Sequence, residues 1–155
     1  GIIQKLLVAG VVVGMMVLPL TQLFTNILGF ADYGIPHVFK VSGVVMLVFT
    51  LWLFYRSHAD HSRNWFASLT SVNHRSLITY GVYERMRHPM YAAIWLWAIA
   101  QPLVLNNLIS GLSGLLSFSL LYFLSVPYEE KLMYKTFGTD YAVYRHQTYA
   151  VFPKL

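Results

Sequence analysis

Long apolar runs separated by short polar clusters set the pattern of this chain, and the runs have membrane-span lengths. The first, about Leu6 to Leu28, predicts a helix kinked at Pro19, with Thr21, Gln22 and Thr25 giving its far end a polar side. The second, about Val38 to Tyr55, is short, but Lys40 and Arg56 can snorkel at its ends, and Trp52 and Tyr55 suit the interfacial belt. From Pro89 to Tyr128 no residue is charged. As one helix that stretch would be about 60 Å long, roughly twice the hydrocarbon thickness of a bilayer. It predicts two spans, about Met90–Leu105 and Leu108–Tyr128, joined by a tight turn near Asn106-Asn107. A hairpin of this kind brings Arg87-His88-Pro89 and Glu129-Glu130 to one membrane face.

The polar stretches read as connectors. Gly29–Pro36, with two glycines, Asp32 and Pro36, predicts a short loop on the far side. Residues 56–88 interleave Arg56, His58, Asp60, His61, Arg63, Asn64, Trp65, Asn73, His74 and Arg75 with apolar positions. They predict an ordered connector lying on the membrane, built of short helical or extended pieces. Gly81 supplies a turn there, and Pro89 suits the first turn of the third span. Gly111, Ser113, Gly114 and Ser117 are small residues at helical spacing that allow close packing of the fourth. The tail predicts a helix to Phe137, a break at Gly138 and a second helix capped by Thr139 or Asp140. Tyr141, Tyr144 and Tyr149, with Val143 and Val151, give that piece an apolar side that could lie on the membrane.

Composition supports the same picture. Charged residues make up 11% of the chain and hydrophobic ones 57%, against roughly 25% charged in soluble domains. The fold class is all-α: a polytopic membrane helical bundle of about four transmembrane helices, with a cytoplasmic connector and a helical tail, as one domain over 1–155. The net charge of +5 reads as topology, not nucleic-acid affinity. Arg56, Arg63, Arg75, Arg85 and Arg87 share a face with Lys131, Lys135, Arg145 and Lys154 if the hairpin forms, and the positive-inside rule makes that face cytoplasmic. Cysteine is absent, which excludes disulfides and thiolate-bound metal. The chain opens on Gly1, which leaves room for a preceding tag, signal or span, and its apolar start is too long for a signal peptide.

Two clusters carry candidate chemistry. The run Leu77–Tyr91 brings a turn, two tyrosines (Tyr80 and Tyr83), Arg85, Arg87 and His88 to the start of a membrane helix, whose unpaired N–H groups favour a carboxylate. Taken alone, Arg85 and Arg87 could simply anchor the boundary. Glu129-Glu130 alone could be solvated or paired with Lys131. Set opposite each other, the clusters match a zwitterionic amino-acid head. His58 and His61 flank Asp60, with His74 in the same connector, but a metal site is not expected, and solvated or capping histidines are the default. No phosphate-binding glycine motif or serine-nucleophile elbow is present.

Leu77–Tyr91, then Glu129-Glu130, then Phe137-Gly138-x-Asp140-Tyr141-x-x-Tyr144, resembles the isoprenylcysteine carboxyl methyltransferase family and the related phospholipid N-methyltransferases. The likeness covers roughly Ser76 to Pro153, with a looser one at Leu18-Pro19-Leu20-Thr21 and Asn64-Trp65. It implies a membrane-embedded methyltransferase using S-adenosylmethionine, with the bilayer and a lipophilic or prenylated acceptor as partners and no nucleic acid. Arg75, Ser76, Leu77 and Ile78 match a segment lining the cofactor pocket, and Tyr83 matches a pocket tyrosine. Arg87, His88, Pro89, Met90 and Tyr91 match the stretch gripping the cofactor's amino-acid end, and Glu129 an acidic cofactor ligand. Ser125 stands where isoprenylcysteine methyltransferases carry an arginine that receives the substrate carboxylate, so an amine, thiol or other neutral lipophilic nucleophile enters consideration. His88, Tyr91 and Glu130 are then the candidate proton acceptors. The competing classes are a scaffold or transporter-like bundle, and a sterol-reductase-like oxidoreductase.

Overall fold

The computed structural model describes residues 1–70 and 76–154, with residues 63–70 in backbone only. Its helices are α1 (Ile2–Val12), α2 (Leu18–Phe24), α3 (His37–Thr70), α4 (Pro89–Leu105), α5 (Leu108–Phe137) and α6 (Thr139–Gln147). Among the described residues there are no strands, only isolated bridges joining Asp32 to Asn107 and Met86 to Tyr149. Three helical stretches are long and apolar enough to cross a membrane: Ile2–Phe24, the His37–Ser62 part of α3, and α5. The fourth predicted span is α4, apolar and 17 residues long, about 25 Å and at the lower end of spanning lengths. The chain is an integral membrane helical bundle.

Helix α3 departs from the expected connector. It runs on past Tyr55 to Thr70. Residues 56–70 contain no glycine or proline, Arg56 pairs with Asp60 one turn later, and Ser57 Oγ donates to the Leu53 carbonyl. Nothing local breaks the helix there. The connector residues Asn73, His74 and Arg75 lie outside the described residues, as do the side chains of Arg63, Asn64 and Trp65.

The chain forms two compact units. The first comprises Gly1–Thr50 and Ile94–Pro127. Its packing follows from a defect in the first span. Pro19 has no N–H, and the N–H of Leu18 bonds the carbonyl of Val13 through a π turn over Val13–Val17. The Gly14 carbonyl therefore has no donor within its own helix. Gln101 Nε2 and Ser113 Oγ supply one each, at 2.8 and 2.7 Å, and Gln101 also donates to the Ser110 carbonyl at 2.5 Å. A side chain at Gly14 would collide with Ser113 and Ser117, one at Gly111 with Pro102, and one at Gly114 with Gln101. The small-residue stripe is thus used for close packing.

The α4–α5 turn falls at Asn106-Asn107 as predicted. Asn106 takes the left-handed conformation, with φ 51°. Asn107 is buried, and its Oδ1 caps α5 by accepting from Ile109 and Ser110 at 3.0 and 2.9 Å. Its Nδ2 donates to Leu28 O and Asp32 Oδ1, tying the Gly29–Pro36 loop to the turn.

The second unit comprises Leu51–Ala93 and Tyr128–Leu155, of which Leu155 is not described. Its core holds Leu53, Tyr83, Met86, Ala92, Ala93, Tyr141 and Tyr144. Tyr141 and Tyr144 were expected on a membrane-facing side of α6, but they point inward, while Val143 and Tyr149 are exposed. The break at Gly138 is real, with φ 54°, and Gly138 itself is the N-cap residue of α6, with no side-chain cap from Thr139 or Asp140.

Candidate functional site

The site grows from the start of α4. Pro89 opens the helix where no N–H is needed and is fully buried. The residues just before it are tied to the tail: Arg87 N–H donates to Tyr149 O, His88 N–H to Ala150 O, and Lys154 N–H to Arg85 O, at 2.8 to 3.0 Å. From the other side Tyr144 Oη donates to Tyr83 O at 2.6 Å, with Met86 O at 3.4 Å. Backbone and α6 together fix the run that carries His88.

Glu129 and Glu130, adjacent near the end of α5, meet different partners. Arg87 places Nε and Nη2 each 2.8 Å from Glu130 Oε1, while Arg145 Nε lies 3.5 Å from Oε2. Arg87 Nη1 bonds the Thr148 carbonyl, with Arg145 O at 3.3 Å and Thr148 Oγ1 at 3.5 Å. The Arg87 side chain is 9% exposed and that of Glu130 13%, so the pair is inside the protein. Glu129 is 36% exposed. Its Oε1 accepts from Tyr91 Oη at 2.6 Å, and its Oε2 makes no hydrogen bond among the described residues.

His88 sits between the two carboxylates, Nδ1 3.8 Å from Glu129 Oε2 and Nε2 3.4 Å from Glu130 Oε1. Its ring packs on Tyr91 with centroids 5.7 Å apart. Burial pushes its pKa below 6.5 and outweighs the opposing pull of Glu129 and Glu130. His88 is therefore neutral near pH 7, and these contacts are not salt bridges. Buried Nε2 has no hydrogen-bond partner among the described residues. Tyr83 is buried, its hydroxyl 3.5 Å from Ser57 O. Burial first, then Asp60 and Tyr80, hold its pKa at about 12, so it stays protonated.

Of the sequence-predicted residues, the second unit brings together Arg87, His88, Tyr91, Glu129 and Glu130, while Tyr83 packs against His61 and receives Tyr144 on its carbonyl. Ser76, Leu77 and Ile78 precede the Gly81 turn outside any helix, the last two half-buried. Met90 is half-buried in the first turn of α4, and Ser125 is buried on α5 in the first unit. Arg75 lies outside the described residues. Arg145 and Thr148, which complete the surroundings of Arg87, had no distinguishing signal in sequence. Their part is set by where the tail folds.

Comparison with known proteins agrees with this arrangement. Residues 38–140, most of the chain, match the phospholipid methyltransferase family model. Protein-S-isoprenylcysteine O-methyltransferase A of Arabidopsis thaliana is 32% identical over 82 residues, covering 51% of this chain and 42% of that protein. A probable protein-S-isoprenylcysteine O-methyltransferase of Oryza sativa is 34% identical over 77 residues, covering 50% and 40%. The Schizosaccharomyces pombe protein-S-isoprenylcysteine O-methyltransferase is 37% identical over 71 residues, covering 44% and 29%. The matches thus span less than half the length of these relatives. An all-helical membrane bundle and a family match that takes in all of α4 and α5, both glutamates included, make the chain a member of the phospholipid methyltransferase family.

Proposed function

We propose that this chain is a membrane-embedded methyltransferase that takes its methyl group from S-adenosylmethionine and transfers it to a lipophilic acceptor. The observation that carries the reading is the half-exposed Glu129 carboxylate, oriented by Tyr91 through Oε1 and with Oε2 open to a ligand ammonium. An amino-acid ammonium fits this group. Arg87 is committed to Glu130 and the tail, so its role is to hold the site, and the ligand carboxylate falls to the start of α4. Ser76, Leu77, Ile78, Tyr83 and Met90 complete the proposed cofactor surroundings, together with His88 and Pro89. Bound there, S-adenosylmethionine would supply an already activated methyl group. The chain's own task is then to orient the reactants and exclude water.

The acceptor is better read as a neutral group than as a carboxylate. No Lys or Arg occurs from Pro89 to Glu130, and the position expected for a carboxylate-binding arginine is Ser125. An amine or thiol must give up a proton. His88, neutral and so carrying one unprotonated ring nitrogen, suits that role better than Glu130, which Arg87 and Arg145 hold. We place the donor side on the cytoplasmic face, where the positive-inside rule puts the arginines, and acceptor entry through the bilayer. The test is a methyl-transfer screen with labelled donor against phosphatidylethanolamine, prenylcysteine analogues and small thiols, alongside calorimetry with S-adenosylhomocysteine in detergent. Glu129→Ala and His88→Ala should weaken binding without unfolding the bundle. Unchanged affinity in both would remove the basis for the site.

A further inference from the structure

Among the described residues of the second unit, Asp60 is the most deeply buried charged side chain, at 1% exposure. It lies on α3, where the Arg56 guanidinium is 3.6 Å from Oδ1, too long for a hydrogen bond, and Oδ1 has no other partner among the described residues. Burying a carboxylate in this way is costly unless it holds something in return. What it holds is the turn before the site. Oδ2 accepts the N–H of Val82 at 3.0 Å, and the backbone carbonyl of Asp60 accepts from Tyr80 Oη at 2.9 Å.

The turn is shaped to that carboxylate. Gly81 has φ 64°, a left-handed value, and a Cβ there would strike Asp60 Oδ2. The 3₁₀ turn Gly81–Glu84 has no cap from its own N-terminal residue, Tyr80, so Asp60 caps it from another element. Tyr83 O and Met86 O then receive Tyr144 Oη, and Arg87 and His88 follow directly. Asp60 thus holds Val82, Tyr144 holds Tyr83 and Met86, and His88 lies two residues further along the backbone. We propose that Asp60 is a positioning residue: by capping the Gly81–Glu84 turn it sets where the Met86–His88 run presents itself to the methyl donor. This inference rests on the donor reading above.

The test uses the full chain in detergent, with Asp60→Ala, Asp60→Asn and Gly81→Ala. Hydrogen exchange reports residues 80–88 directly, and calorimetry reports affinity for S-adenosylhomocysteine. Loss of a charge-assisted hydrogen bond should speed exchange at 82–88 and weaken affinity, each by about tenfold or more, in Asp60→Ala. Asp60→Asn keeps an oxygen for Val82 and should recover most of both. Gly81→Ala, which strikes the same contact from the loop side, should reproduce the loss, and it carries the test if Asp60→Ala does not fold. A merely structural Asp60 would lower the melting temperature while the folded fraction bound with normal affinity, and that result overturns the proposal. So does an Asn variant as impaired as the Ala variant. Should the wild-type protein ignore S-adenosylhomocysteine, the donor reading falls. The anchor is then judged by exchange alone, and unchanged exchange at 82–88 in Asp60→Ala refutes it.

Discussion

Replacing Arg87 with alanine separates two roles that the sequence alone left entangled, ligand binding and internal support. The guanidinium meets Glu130 through two nitrogens at 2.8 Å and serves carbonyls of Arg145 and Thr148, all with little exposure. Removing one member of a buried pair typically costs about 3–5 kcal/mol, because the surviving carboxylate stays buried without its counter-charge. Arg145 Nε, 3.5 Å from Glu130 and largely exposed, compensates only in part, which places the expected loss near the lower end, about 3 kcal/mol. The double variant Arg87→Ala/Glu130→Ala should cost less than the sum of the two single changes, since it removes both charges together. Thermal melting in detergent gives the stability change, and hydrogen exchange at residues 85–88 and 148–154 shows whether the tail has come loose. If Arg87→Ala leaves melting and exchange untouched but abolishes affinity for S-adenosylhomocysteine, the guanidinium serves the ligand and the internal role is refuted.

Tyr91→Phe and Glu129→Gln should each weaken S-adenosylhomocysteine binding in calorimetry with little change in melting temperature, in contrast to Arg87→Ala and Glu130→Gln. A large stability loss in either would mark the Tyr91–Glu129 bond as structural. The depressed pKa of buried His88 means that the unfolded chain takes up its proton first. The contribution of His88 to stability is therefore complete above about pH 6.5 and declines as pH falls below that value towards the folded-state pKa. Melting temperatures recorded from pH 7.5 to 5 should fall, and His88→Asn should flatten the slope. Gln101→Leu withdraws one of the two donors from Gly14 O and should destabilise the protein by about 1 kcal/mol in detergent. No change in melting would mean that Ser113 alone satisfies that carbonyl.

The helical class, the spans and the α4–α5 turn were legible because each rests on a local signal. An uncharged stretch of about forty residues cannot cross a bilayer once, and Asn106-Asn107 offers both a left-handed turn and a cap. The meeting of Arg87 with Glu130 followed from that hairpin. The extent of α3 was not legible, because a polar helix outside the bilayer has the composition of a connector. The inward faces of Tyr141 and Tyr144 misled for a related reason: an amphipathic pattern fixes which side of a helix is apolar, not whether lipid or protein covers it.

Sequence by itself determined that this is a membrane helical bundle whose basic run before α4 returns to the two glutamates that close the uncharged stretch. Only the tertiary structure decided which partner each of these charges meets within the protein. Arg87 closes on Glu130 and the tail, while Glu129 takes Tyr91 Oη on Oε1 and leaves Oε2 without a hydrogen bond among the described residues. The reason is geometric. Adjacent residues on a helix point about 100° apart, so two glutamates identical in sequence terms meet different neighbours, and those neighbours come from segments more than a dozen residues away.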